Sequence, residues 1–226
     1  VAVADLPEAT IRALAMAPDQ QARTPRERLL AQALELFYSQ GIRAVGVDLL
    51  IERSGVAKAT FYRHFPSKND LIAAYLDRRQ QAFMTWLSAA VDTASSDDSP
   101  PLLAMFDALG RLFADPEFRG CPIINAVAEM GAESDRLMDH ARSHKLQLLR
   151  YIEELAVKTG VPEPAELSTK IALLVDGAFT GAQRDNGRQV AMLARQIAAP
   201  LLESSLNEKS SLNEKSSLNE MVNVPD

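Results

Sequence analysis

The sequence predicts an all-α protein, and three observations carry that prediction. No segment sustains the period-two alternation of a half-buried strand, while apolar residues recur at helical spacing. Two capping-box patterns, Thr24-Pro25-Arg26-Glu27 and Ser67-Lys68-Asn69-Asp70, each open such a stripe. Stop signals fall at short intervals: Gly41, Gly55, Asp115-Pro116 and Gly160-Val161-Pro162.

Taken in order, residues 1–23 are Ala-rich with no clear fold signal, and read as a frayed helix or solvated arm. The first firm helix starts at Thr24, whose hydroxyl can accept from the Glu27 N–H while Pro25 sits where no N–H is needed. Leu29, Leu30, Ala33, Leu36 and Phe37 form its apolar stripe, and Gly41 closes it. Two short helices follow, about Val47 to Ser54 and Lys58 to His64, joined at Gly55, which ends a helix in the left-handed conformation at little cost. The second is too short to stand alone. It carries Lys58, Thr60, Tyr62, Arg63 and His64, a row of hydrogen-bond donors, as insertion into a DNA major groove requires. Packing roles are the alternative for Tyr62 and His64, and plain solvation for Lys58, Arg63 and Lys68. A long helix then begins at Ser67 and runs to about Val91. Phe37, Phe61 and Phe65 are the expected anchors of this small bundle.

Residues 24 to about 80 resemble the DNA-binding domain of the TetR family of bacterial transcriptional regulators. The resemblance rests on Phe37, Gly41, Gly55-Val56, Thr60, Tyr62, His64-Phe65, Ser67-Lys68 and Leu71. It implies a three-helix helix-turn-helix domain at 24–82, with the motif at 46–65. It also implies a helical effector-binding and dimerisation domain at 83–203. Lys58, Thr60, Tyr62, Arg63 and His64 are then expected to face double-stranded DNA, and Lys68 to meet its backbone. Two positions depart from the family pattern: Gly46 and Ala57 stand where a capping Thr or Ser is usual, which removes two candidate phosphate contacts.

The charge distribution agrees with a nucleic-acid partner. Net charge over the 226 residues is −6. Residues 23–79 nevertheless hold ten basic against six acidic side chains, a net of +4, which leaves −10 elsewhere. Positive charge is thus concentrated where phosphate would lie, and affinity should fall steeply with salt. No apolar run approaches a membrane span, and no basic start precedes the N-terminal apolar residues, so no signal peptide is expected. One cysteine excludes an internal disulfide and suits a reducing cytoplasm.

Beyond Phe83 the spacing predicts further helices: Leu102 to Ala114, a short one opened by Cys121-Pro122, about Ser134 to Lys158, Leu167 to Ala182, and Gln189 to Leu202. The last two carry Leu174, Gly177, Ala178, Gly181, Leu193 and Ile197, small and apolar residues suited to a four-helix bundle with a second copy. The resemblance favours such a homodimer on a near-palindromic operator; completing the monomer's own core is the alternative. The resemblance also implies a pocket for an unidentified small-molecule effector. Its candidate lining is Phe83, Trp86, Met105, Phe106, Phe113, Cys121, Asn125 and Met138, adaptable apolar groups with a few polar ones. Residues 204–226 contain a Ser-Ser-Leu-Asn-Glu-Lys repeat whose leucines, six apart, fit neither a helix face nor a strand face, and read as a solvated tail.

Cys121 supports a second reading. At a helix cap near Arg119 its thiolate would be favoured and its pKa lowered, as in a thiol-based redox or electrophile sensor. A third class, a helical thiol enzyme or carrier pairing Cys121 with His140 or His144, lacks an oxyanion motif. No Walker loop, dinucleotide fingerprint or metal-ligand spacing is found, so neither cofactor nor metal nor catalytic residue is assigned. The reading that emerges is a DNA-binding regulator, a repressor released by its effector.

Overall fold

The computed structural model describes residues 24–96, 99–130 and 135–222. The expectations for residues 1–23 and for the start of the helix at Ser134 lie outside them. Helices α1 (Pro25–Gln40), α2 (Val47–Ser54) and α3 (Lys58–His64) form an N-terminal head. Helix α4 (Lys68–Ala94) leads from the head into a body made of α5 (Pro101–Phe113), α6 (Pro122–Met130), α7 (Asp135–Lys158), α8 (Pro164–Ala182) and α9 (Gly187–Val222). Among the described residues there is no strand, only one antiparallel bridge between Ser96 and Ser99.

Local chemistry sets the helix boundaries of the head. The Glu27 N–H donates to Thr24 Oγ1 at 3.3 Å, and the Thr24 N–H to Glu27 Oε2 at 2.8 Å. Ser67 and Asp70 repeat the exchange at 3.2 and 3.0 Å. Each box satisfies two of the N–H groups that a helix start leaves unpaired. Gly55, at φ 62°, turns α2 into α3. Gly46 and Ala57 make no side-chain cap bond, so α2 and α3 depend on packing. That packing comes from Phe61, Leu50, Leu29 and Leu71, all fully buried, and from Tyr75, edge-on to Phe37 at 5.4 Å. A buried side chain of this size contributes about 1.5–3 kcal/mol, and in the seven-residue α3 it is Phe61 that supplies it.

The head does not close on itself. Its apolar core takes in Ala126 of α6 and Leu137 of α7. A division at residue 82 therefore cuts through α4 and sets apart two helices that share the head's core. The body core is built on α5, whose Leu102, Met105, Phe106 and Leu109 are sealed between α4, α7 and α9. Helix α9 approaches closely where a Cβ on Gly110 would lie 3.3 Å from the Ala191 methyl carbon. Its core face is Ala191, Ala194, Ala198 and Leu202.

One expectation is corrected here. The repeat read as a solvated tail continues α9 to Val222. Leucine spacing misleads because helix continuation needs no apolar face: Leu, Glu and Lys are good helix formers, and neither Gly nor Pro interrupts 201–222.

Candidate nucleic-acid interface and effector cavity

The outward side of α3 carries the residues expected at DNA. Lys58 and Arg63 are exposed, Tyr62 is 45% exposed, and Thr60 and His64 are half-buried. Tyr62 rests edge-on against Phe61 at 5.1 Å, so buried Phe61 fixes the base of an exposed ring. Arg63 Nη2 donates to Thr60 Oγ1 at 3.4 Å, and Lys58 Nζ pairs with Asp48 at 3.2 Å. Both partners are exposed, and such a pair contributes little in water and yields readily to phosphate.

Lys68 differs from expectation. Its Nζ donates to the Ile42 carbonyl and lies 5.8 Å from the centre of the Phe37 ring. Burial pushes its pKa down. The side chain clamps the α1–α2 turn to the start of α4 instead of reaching outward. The carbonyl left free at Ile42 supplies the acceptor that turns it inward.

Three ties connect the head to the body. The Arg43 N–H donates to Glu129 Oε2 at 2.9 Å, and Arg43 Nε donates to the Glu129 carbonyl. Arg136 pairs with Asp70 at 2.7 Å; Ser67 first, and then Arg136, hold the Asp70 carboxyl below its ordinary pKa. Tyr38, on α1, accepts from the Arg119 N–H at 2.8 Å.

Behind these ties lies a cavity of about 280 Å³, walled by α4, α6, α7 and α8, by Tyr38 of α1 and by Leu112 of α5. Phe83 and Cys121 line it, with Phe118, Ile123, Ile124, Val127 and Phe179. The other candidates do not. Met105, Phe106 and Phe113 lie in the body core, and α5 meets the cavity through Leu112 instead. Trp86 packs against Phe83 from outside the wall, 6.0 Å between ring centres. Asn125 is turned to the Gly120 corner, donating to the Arg119 carbonyl at 2.8 Å and accepting from Gln183 at 3.1 Å. Met138 lies half-buried on α7 away from the cavity.

The polar part of the wall was missed by sequence reasoning: Arg79, Gln80, His144, Lys145 and Asp176. A signal existed. Arg79 continues the Ile72, Tyr75, Leu76 stripe of α4, and His144 continues Leu137, Ala141 and Leu148 on α7. A charged or titratable residue in an apolar stripe marks a buried polar site. His144 Nε2 lies 3.0 Å from Asp77, which is also 3.4 Å from His140 Nδ1. These three residues bring possible ligand atoms within 4.8 Å of one another, so the His140–His144 spacing, passed over in the sequence, is compatible with a metal. The same geometry is accounted for by the hydrogen bond of His144 to Asp77 and the His140 contact beside it.

The thiolate expectation for Cys121 is corrected. Burial pushes its thiol pKa up, outweighing the N–H groups of Ile124 and Ile123 that pull it down. Desolvation of the sulfur wins over the helix start.

The outer faces of α8 and α9 form an apolar surface. Leu193 is 57% and Ile197 44% exposed, and a Cβ on Gly177 would meet nothing within 4 Å. Leu173 and Met192, not anticipated, are 73% and 55% exposed on the same faces. Leu174 is half-buried at the edge. Ala178 and Gly181 are turned inward: Ala178 belongs to the body core, and a Cβ on Gly181 would lie 3.1 Å from Val190. Gly181 lies one turn on from Gly177, where α8 meets Val190 of α9 and the contact takes a small residue.

Comparison with known proteins decides the family. The family model for bacterial regulatory proteins of the tetR family matches residues 29–75. The HTH-type transcriptional activator FasR of Mycolicibacterium smegmatis is 34% identical over 189 residues, covering 82% of this chain and 72% of that protein. The chain belongs to the TetR family. The HTH-type transcriptional regulator LmrA of Bacillus subtilis is 26% identical over 157 residues, covering 68% of this chain and 84% of that protein. The crystal structure of SCO4454, a TetR-family transcriptional regulator from Streptomyces coelicolor, superposes with a TM-score of 0.71 at 28% identity, over 80% of this chain and 96% of that one. The protein is thus a TetR-family, DNA-binding transcriptional regulator, and its curated relatives are regulators, not enzymes. Among the described residues no helix is long and apolar enough to cross a membrane.

Proposed function

We propose that this TetR-family chain acts as a homodimeric repressor in the cytoplasm, released from its operator by a small molecule bound in the α4–α8 cavity. The observation that carries the reading is the position of α6. Its first turn, Pro122 to Ile124, lines the cavity, and its last, at Glu129, is bonded to the α1–α2 turn of the head. A ligand that shifts α6 therefore shifts the head. It does so only by binding the displaced state more tightly than the DNA-competent one.

Lys58, Thr60, Tyr62, Arg63 and His64 contact DNA in this reading. Two copies joined through Leu173, Leu193 and Ile197 present two α3 helices to half-sites about 34–36 Å apart or a multiple of that. The test is binding of the purified full chain to labelled fragments flanking its own gene, over a salt series. Selective, salt-sensitive retention of one near-palindromic fragment supports the reading; equal affinity for every fragment at low salt overturns it. A reporter on the retained promoter gives the sign. Expression that rises when the gene is deleted supports repression, and expression that falls makes the protein an activator, as its relative FasR is named.

A further inference from the structure

Among the described residues that line the cavity, Arg79 is a cation without a counter-charge. Arg79 is 5% exposed and forms part of the wall, and its buried Nη1 has no hydrogen-bond partner. Among the described residues no carboxylate pairs with it. The two acidic groups nearby are committed: Asp176 is bonded to Lys145, and Asp77 to His144 and His140. The guanidinium carbon lies 3.8 Å from the centre of the Tyr38 ring, a cation–π contact that covers one face of the group. The group also has a side-chain hydrogen bond with Tyr75, and stacking leaves the in-plane Nη1 unmatched, the kind of donor from which a carboxylate accepts. Tyr38 supplies no counter-charge, because burial raises its pKa and keeps the phenol neutral. The rest of the wall is mainly apolar, with Phe83, Phe118, Ile124, Leu148 and Phe179.

A buried charge is costly unless it is paired and hydrogen-bonded. We infer that the effector is an amphipathic organic anion, a carboxylate on an apolar body, with Arg79 receiving the head and the aromatic wall the body. The inference rests on the cavity being the effector site. It adds a consequence for signalling, since Arg79 is stacked on Tyr38 of α1. An anion drawing the guanidinium off that ring acts directly on the first helix of the head.

Trp86, the chain's one tryptophan, packs against wall residue Phe83 and reports binding by its fluorescence. The full chain is titrated with 4-phenylbutyrate and with decanoate, and in parallel with their primary amides, which keep the shape and lose the charge. The acids are expected to bind about tenfold tighter than the amides, or more, as a charge-assisted pair in a dry site implies. Arg79→Met should abolish that preference while leaving amide binding in place. Arg79→Lys, which keeps the charge and loses the fork, should retain part of it. Equal affinity for acid and amide in the unaltered protein, no saturable binding of either acid, or a preference that survives Arg79→Met overturns the inference. The acid–amide comparison needs no variant, so it stands even if Arg79→Met does not fold. Operator binding without ligand is read separately: if it persists while the preference fails, only the anion assignment falls.

Discussion

The Arg43 backbone N–H donates to Glu129 Oε2 at 2.9 Å, bringing the α1–α2 turn of the head into contact with the end of α6. A Cβ on neighbouring Gly41 would lie 3.1 Å from the same oxygen, so the turn and the carboxylate fit closely. Glu129→Ala removes this acceptor. The expected cost is about 1.5–3 kcal/mol of stability, the usual range for a hydrogen bond to a charged group, measured by urea denaturation. A variant as stable as the parent would show that the contact does not hold the head.

On the recognition face, Arg63→Ala and Tyr62→Ala act differently. Loss of Arg63 should weaken binding to all DNA alike and reduce the salt slope by about one unit. Loss of Tyr62 should cost about 1–3 kcal/mol of discrimination between operator and other DNA. Fluorescence anisotropy over a salt series separates the two. Lys68→Met should instead lower the melting temperature of the protein, because that ammonium is bonded to the Ile42 carbonyl.

Gly120 sits at φ 87°, and a Cβ there would fall 1.5 Å from Gln183 Nε2. Gly120→Ala meets both backbone strain and a clash at the corner that enters α6. The expected destabilisation is about 1–3 kcal/mol, seen in calorimetry. Adding Gln183→Ala should recover the part that comes from the clash.

Exposed Leu193 and Ile197 lie on the outer face of α9. In the proposed dimer, Leu193→Glu with Ile197→Glu places like charges opposite one another across the twofold axis. Analytical ultracentrifugation should find the monomer at concentrations where the parent is dimeric, with operator affinity lower by about a hundredfold or more. Both residues are solvent-exposed in the single chain, so its melting temperature at matched oligomeric state should be nearly unchanged.

Burial raises the Cys121 pKa, so the neutral thiol dominates at pH 7. Alkylation by iodoacetamide should be slower than that of free cysteine by about tenfold or more, and should accelerate as pH rises. The linkage has a definite sign. Below both pKa values the thiol is neutral in folded and unfolded chains alike, and contributes nothing. Above the unfolded value the unfolded chain gains by ionising first, and stability falls as pH rises. A fast reaction at pH 7 would restore the sensor reading.

How much of this was legible in the sequence depends on how local each interaction is. Thr24 with Glu27, Ser67 with Asp70 and the turn at Gly55 are visible because every partner lies within a few residues. The exposure of α3 is equally readable, since seven residues offer Phe61 and little else for burial. The cavity is not. Met105 and Phe113 carry the same kind of side chain as Phe83, and which of them faces empty space depends on how four helices approach one another. Arg79 and His144 were legible in principle, as polar interruptions of apolar stripes. Their neighbours in space, Tyr38 and Asp77, come from other helices, so neither the stacking nor the bonding could be read from spacing.

Helix α4 runs unbroken from Lys68 to Ala94, 27 residues, and so extends about 40 Å. A rod of that length pivoting at one end converts rotation into travel. A tilt of about 5° moves the far end by about 3.5 Å, close to the 3.4 Å that separates successive nucleotides along one strand of B-DNA. Side-chain rearrangements too small to alter the body's packing can therefore put a recognition helix out of step with its bases by a full rung.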